Sequence, residues 1–220
     1  MKQNQSENKY SIAWFKIAEC VLRGEKERAL GVYRLLAHSL PDTALASQLE
    51  ADILLACLEF ERAFKTYAKA AEQYEKDNRC VQALAVYEHM ITMRPDDVII
   101  RAKVTRMHAE QKNSDMVVHH AALLASALIS QGTLAVAYET VANCTALIDP
   151  LLLIPVYEQF LQAKVASDSA EYKLCSSILY KIIDTVVQTD SKAQLQQLLA
   201  RLQTSAWLDV ARAYLTRHSS

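Results

Sequence analysis

The stretch QALAVYEHMITMRPDD, residues 82–97, decides the fold class of this chain. Ala83 and Tyr87 lie four residues apart, so they fall on one face of a helix. Pro95 and the two aspartates after it end that helix and begin another. The same spacing of alanine, tyrosine and proline occurs earlier in the chain, at Ala29, Tyr33 and Pro41. The chain therefore contains an internal repeat built on helices.

Two further copies of the pattern extend the repeat. One lies at Ala63, Tyr67 and Ala70, and a weaker one at Gly132, Ala137 and Pro150. Alanine at such positions lets two helices approach closely, while the large side chains fill the space beside it. Only 20 residues separate Ala63 from Ala83. We therefore expect helix 60–77 to be the second helix of one repeat and the first helix of the next.

Apolar spacing between the glycines and prolines predicts about twelve helices. Their connections are short, so consecutive helices should pack antiparallel. Residues 1–9 are expected to form a disordered tail, 10–150 the repeats, and 151–220 continuing helical hairpins with a C-terminal cap. The predicted helices are 10–23, 26–38, 43–57, 60–77, 79–93, 97–112, 114–130, 133–147, 153–166, 169–188, 191–202 and 205–217.

Two residues inside these helices need an explanation. Gly31 lies within helix 26–38, where it predicts the close approach of a neighbouring helix. Pro155 is expected in the first turn of helix 153–166, where proline is tolerated.

These features resemble the tetratricopeptide repeat (TPR) family. In that family a helix with large–large–small–large spacing precedes a helix marked by a small alanine, an aromatic residue and a proline. The resemblance covers residues 10–150, and the first helix carries Trp14, Ile17, Ala18 and Val21. It implies an all-α fold of antiparallel helical hairpins, stacked as a right-handed TPR-like α-solenoid. Thr105 replaces the small residue in 97–130, and beyond residue 150 the motif is absent.

The resemblance also implies a function and a site. TPR arrays bind proteins through a concave face lined by the first helix of each repeat, so we expect a non-catalytic interaction scaffold or adaptor for a protein or peptide. Arrays that hold chaperone C-termini use Lys, Arg and Asn where Glu19 and Asp52 stand, so that partner is not expected. The matching positions here are Phe15, Glu19, Leu22, Arg23, Gln48, Asp52, Leu55, Ala102, Lys103 and Arg106.

Composition disfavours several other classes of function. The formal net charge is −1, whereas nucleic-acid-binding proteins usually carry an excess of Lys and Arg. An RNA-binding helical-repeat protein is therefore the weaker alternative. Phosphate-loop, dinucleotide, zinc-protease and serine-hydrolase motifs do not occur in the sequence. Adjacent His119 and His120 point in different directions on a helix, which disfavours a shared metal. No catalytic residue, cofactor or metal site is expected.

One segment is nearly free of charge. Between Met116 and Ile148 the only formally charged residue is Glu139. Helices that are apolar on most sides are buried on more than one side. They either lie at the centre of the fold or present an apolar patch. The second alternative predicts a self-associating structural or regulatory subunit and a possible homodimer.

The cysteines and the N-terminus bear on the compartment. The five cysteines form no CxxC motif, and we expect them to be small buried hydrophobes in a reducing compartment. MKQNQSENKY lacks the apolar core of a signal peptide, and the chain contains no stretch of about 18 apolar residues. These features predict a cytoplasmic protein without a membrane span, with signal-independent secretion as the open alternative.

Overall fold

A computed structural model of the protein describes residues 2–132, 134–163, 169–189, 192–203 and 205–218. Every regular element in these ranges is helical, which confirms the all-α class. The helices are α1 Lys2–Leu22, α2 Lys26–Ala37, α3 Thr43–Ala56, α4 Phe60–Lys76, α5 Cys80–Met93, α6 Val98–Glu110, α7 Ser114–Ser130, α8 Leu134–Cys144, α9 Ile154–Leu161, α10 Ala170–Gln188, α11 Lys192–Leu202 and α12 Trp207–His218.

The largest differences from the predicted boundaries lie at the first helix and around α9. Helix α1 begins at Lys2, so it includes residues 2–9, which were expected to be a disordered tail. No glycine or proline precedes Gly24, so nothing in the sequence stops the helix from extending. Residues Pro150–Leu153 form a 3₁₀ turn, capped by the Asp149 side chain, before α9 begins. Pro155 lies in the first turn of α9, as predicted. The end of predicted helix 153–166 lies partly outside the described residues.

The chain divides into two compact units, Met1–Pro95 and Asp96–Ser220, here called unit 1 and unit 2. The division falls inside the segment 10–150 that was expected to form one continuous array. In unit 1, α1 packs against α2, α3 against α4, and α4 against α5. Helix α4 therefore pairs with both of its neighbours, as its sequence spacing predicted.

Unit 2 has one large apolar core. Helix α7 packs against α6, α8 and α9, and α10 packs against α9, α11 and α12. The inward faces of α7 and α8 are buried, whereas Leu123, Val136 and Leu147 of the same charge-poor segment are exposed, so both alternatives for this segment stay predictions. Side chains that define this core include Val117, Leu124, Val141, Phe160, Ile178 and Ile183.

Five turns between helices share one backbone feature. Gly24, Leu58, Asn78, Lys112 and Gly132 all have positive φ, between 57° and 82°. In the first of these turns the Gly24 amide donates to Val21 and the Glu25 amide donates to Cys20. The turns at Leu58, Asn78 and Lys112 have the same two hydrogen bonds. This is the Schellman ending, in which a left-handed residue satisfies the last carbonyls of a helix.

The spacing of these turns reveals a period that the sequence pattern only partly showed. Successive turns are 34, 20, 34 and 20 residues apart, so the sequence repeats every 54 residues, a length that covers three helices. Ala29, Ala83 and Ala137 follow that period, and each is completely buried. The 20-residue distance from Ala63 to Ala83 is thus a regular part of the repeat.

The cysteines are divided between the interior and the surface. All five are free thiols; Cys20, Cys144 and Cys175 are buried, as expected. Burial raises the pKa of Cys175 to about 11. Cys57 is half-buried and Cys80 is exposed, so the expectation of burial is wrong for Cys80. Cys80 is the first residue of α5, directly after a turn.

Gly31 lies inside α2, but the predicted reason for it is wrong. In the described part of the chain, a Cβ atom placed on Gly31 meets no atom of a neighbouring element within 4 Å, so no described helix approaches closely there. Glycine in a helix interior costs stability because it loses more backbone freedom on folding than other residues.

We expect Gly31→Ala to raise the free energy of unfolding by about 1 kcal/mol, since alanine favours the helix and the site has room for its methyl group. Urea unfolding measures the change. Gly24→Ala is the matched control, and it should destabilise the chain because Gly24 has a φ of +72°. A destabilising Gly31→Ala would show that a neighbour does contact this position.

Candidate protein-binding surfaces

Two of the predicted groove residues bind the protein's own tyrosines. The Tyr67 hydroxyl donates a hydrogen bond to Asp52, and the Tyr74 hydroxyl donates to Gln48 over 2.9 Å. Both tyrosines are buried on α4, whereas Gln48 and Asp52 are one turn apart on α3. Burial raises the pKa of both phenols, and the hydrogen bond to Asp52 adds to this for Tyr67. Both hydroxyls therefore remain protonated donors at neutral pH.

A second set of contacts extends this polar face towards α5. The Arg79 guanidinium lies over the Tyr74 ring, 4.5 Å from its centroid, and pairs with the Asp42 carboxylate at 2.5 Å. Asp42 is also the N-cap of α3, where it accepts from the Leu45 amide. The backbone hydrogen bond and Arg79 together lower the pKa of Asp42. The α3–α4 face is thus held in one arrangement before any partner arrives.

The predicted groove residues of α1 are mostly exposed. Phe15 is 74% exposed and Leu22 is 88% exposed. Glu19 and Arg23 form an ion pair at 2.5 Å, one helical turn apart. Exposed pairs of this kind contribute little stability, so these side chains are free to exchange partners. Leu55, on α3, is half-buried.

The remaining three predicted residues belong to unit 2. Ala102 and Lys103 are half-buried on α6, and Arg106 is exposed. Ala102 packs against the core of its unit. The ten predicted residues are therefore distributed over both units, and the continuous concave groove stays a prediction.

A surface that the sequence pattern missed lies at one end of unit 1. It consists of Leu22, Leu58 and Phe60, which are 88%, 73% and 56% exposed, and is called the turn surface below. An ion pair between Lys26 and Glu59 joins the α1–α2 turn to the α3–α4 turn, so the three side chains lie at the same end. Only Leu22 had been predicted as a site residue.

The backbone at Leu58 is strained. Its φ is 61°, a left-handed conformation that costs a residue with a Cβ atom roughly 1–2 kcal/mol relative to the right-handed one. The corresponding turn one period later has Lys112, with a φ of 57°, and Ser114 in place of Phe60. The fold therefore accepts polar side chains at these two positions, and it does not require exposed leucine and phenylalanine.

A cluster of histidines lies in unit 2. The rings of His108 and His120 stack with centroids 5.4 Å apart, and His119 meets the edge of the His120 ring. His119 is exposed and His120 is buried, so these neighbours do point in different directions. Burial, together with the nearby His108, His119 and Arg101, lowers the pKa of His120 to about 4. His120 is therefore neutral at pH 7.

We expect the stability of the chain to fall as the pH drops from about 6.5 towards 4. In this window the unfolded chain binds a proton at position 120 and the folded chain does not, because the pKa is lowered on folding. The expected loss is at most about 3 kcal/mol. Urea unfolding at pH 7 and pH 4.5 measures it for the wild type and His120→Leu. Equal losses in the two proteins would contradict this role of His120.

No helix in the described part of the chain is long and apolar enough to cross a membrane.

Comparisons with known proteins identify no family for this chain. No family model and no curated protein matches it. Among solved structures, it is similar to a chain in a structure of Naa15/Naa10 bound to HypK-THB, with 12% sequence identity and a TM-score of 0.43. The similarity covers 95% of this chain and 34% of that chain. This chain thus spans about a third of the matched chain, and a TM-score this low supports no conclusion about function.

Proposed function

We propose that this chain is a non-catalytic protein-binding module, an interaction scaffold or adaptor, which contacts its partner through the turn surface of unit 1. The observation that carries the proposal is Leu58, an exposed leucine held in a left-handed conformation. Strained residues of this kind are concentrated at functional sites. Relieving the strain requires only a glycine or asparagine, the residues at Gly24 and Asn78 in turns that have the same two hydrogen bonds.

The surroundings of the turn surface fit a protein partner. Its exposed apolar side chains supply contact area for binding, and charged residues adjoin them in the sequence. Glu59 pairs with Lys26, and Glu61 pairs with Arg94, whose guanidinium also lies 4.0 Å from the centroid of the Phe64 ring. These pairs link the start of α4 to the start of α2 and to the end of α5. The turn at Leu58 is closed by its own backbone hydrogen bonds before any partner binds, so its backbone loses little free energy in ordering.

The ordered α3–α4 face gives the proposal a second contact region. The Asp52 and Gln48 side chains each have further acceptor capacity beyond the tyrosine hydroxyl that they bind. A peptide with backbone or side-chain donors is a suitable ligand for this face. We propose it as the part of the predicted concave groove that belongs to unit 1. The cytoplasmic location and the absence of RNA binding stay predictions from the sequence.

Replacing Leu58 by glycine tests the proposal with two readouts. We expect Leu58→Gly to raise the free energy of unfolding by about 1 kcal/mol, since it removes the left-handed strain. The same variant should bind the partner about tenfold more weakly, because an apolar contact is lost. Urea unfolding measures the first effect, and retention of partner protein from a lysate of the native host measures the second.

The matched control is Lys112→Gly, which relieves the same strain in the equivalent turn of unit 2. It should stabilise the chain by a similar amount and leave partner retention unchanged. The proposal is wrong if Leu58→Gly retains the partner as well as the wild type does. It is also wrong if both glycine variants weaken retention equally.

A further inference from the structure

Two buried histidines lie side by side in the interior of unit 2. His108 is in the last turn of α6, and His120 is on the buried face of α7. The centroids of their rings are 5.4 Å apart. The two helices pack directly against each other, so the packing of unit 2 holds this pair of rings in place.

The surrounding protein does not satisfy the polar atoms of His120. Its Nδ1 and Nε2 atoms are both buried, and neither has a hydrogen-bond partner among the residues that the structure describes. A neutral imidazole carries one N–H donor and one acceptor nitrogen, and buried polar groups of native proteins are normally paired. The unpaired nitrogens of His120 therefore point to a ligand that binds imidazole.

The spacing of the two rings fits a shared metal ion. One ring nitrogen of His108 and one of His120 lie within 4.8 Å of each other. Zinc–nitrogen bonds are about 2.1 Å long, so two imidazoles on one tetrahedral ion have nitrogens about 3.4 Å apart and ring centroids about 5 Å apart. The observed centroid distance is close to this value. The χ2 torsion of histidine is soft, so a small rotation of each ring brings the two nitrogens to one ion.

The charge of the pair also suits a cation. His120 is neutral at pH 7, because its pKa is lowered. Metal ions bind the neutral form of imidazole, so an ion displaces no proton from His120. Among the causes that lower this pKa, burial is the largest and the Arg101 guanidinium is the smallest. The positive charge of Arg101 therefore opposes a bound cation only weakly.

We propose that His108 and His120 bind one divalent transition-metal ion of the zinc type, which cross-links α6 to α7. Imidazole suits zinc, copper and nickel, whereas magnesium and calcium prefer oxygen ligands. Two protein ligands leave coordination positions for water, so the ion is bound less tightly than in a closed site with four protein ligands. An ion that binds only the folded chain stabilises it.

No metal site was expected from the sequence, because the adjacent His119 and His120 point in different directions. The partner of His120 is His108, which the fold brings to it from the neighbouring helix. This inference concerns unit 2 and goes beyond the binding of a different protein by unit 1.

Calorimetric titration of the untagged, metal-free full chain with ZnCl₂ at pH 7 tests the inference. We expect one Zn²⁺ to bind per chain and MgCl₂ to give no binding. His108→Leu and His120→Leu should each weaken Zn²⁺ binding at least tenfold, because each removes one of two ligands. The matched control is His119→Ala, which removes an exposed ring next to the pair and should leave the affinity within about twofold of the wild type.

A second measurement uses only the wild type and does not depend on the folding of a variant. X-ray absorption of the zinc-loaded chain should show two imidazole nitrogens about 2.0–2.1 Å from the metal. Zinc should also raise the melting temperature of the wild type and of His119→Ala, but not that of His120→Leu.

Four outcomes overturn the inference. A wild-type chain without saturable Zn²⁺ binding excludes the site, and so does a zinc spectrum with fewer than two imidazole ligands. Unchanged affinity in both leucine variants places the ion on other residues. A loss in His119→Ala as large as that in His120→Leu would show that the exposed histidine is a ligand and that the assigned pair is wrong. Circular dichroism of each variant checks that the helices are retained.

Discussion

Five of the helix connections depend on a left-handed residue that ends one helix shortly before the next begins. Where the chain turns at Gly24, Leu58, Asn78 or Lys112, the same two amide-to-carbonyl hydrogen bonds end the helix. This ending satisfies carbonyls that a helix otherwise leaves without partners, and it fixes the direction in which the chain leaves. Completely buried alanines such as Ala29 and Ala83 then allow the helices on either side to pack closely.

The same turn connects the fold to the proposed function. Glycine and asparagine adopt its conformation at low cost, and lysine at position 112 keeps its charged end in water. Leucine at position 58 has neither advantage, and it lies beside a second exposed apolar residue, Phe60. The free energy lost there is not recovered inside unit 1, because most of the Leu58 side chain remains in water. Under the proposed function, contact with a partner protein would recover it, since binding removes that surface from water.

Sequence reasoning predicted the helices well because the period of apolar residues and the positions of glycine and proline determine them. It predicted the roles of α4 and Pro155 for the same reason. It did not predict the start of α1 at Lys2, because a polar helical segment has no apolar period to detect. It misread Gly31, since the sequence cannot show whether a neighbouring helix is close. In the sequence, the 54-residue period showed only as the irregular 20-residue distance from Ala63 to Ala83. The left-handed turn positions do not reveal the period, because they hold different residue types: glycine, leucine, asparagine and lysine.

The site was harder to predict than the fold. The positions implied by the TPR resemblance include Gln48 and Asp52, but the sequence could not show that Tyr74 and Tyr67 reach them from the next helix. The sequence did not identify Leu58 and Phe60 as site residues, because exposure and backbone strain are properties of the folded chain.

The most direct test of the binding account is hydrogen exchange of the full chain, alone and with the partner protein that it retains. The account predicts slowed amide exchange at residues 22–26 and 57–61 on addition of the partner. Slowed exchange confined to other segments, with these two unchanged, would contradict it.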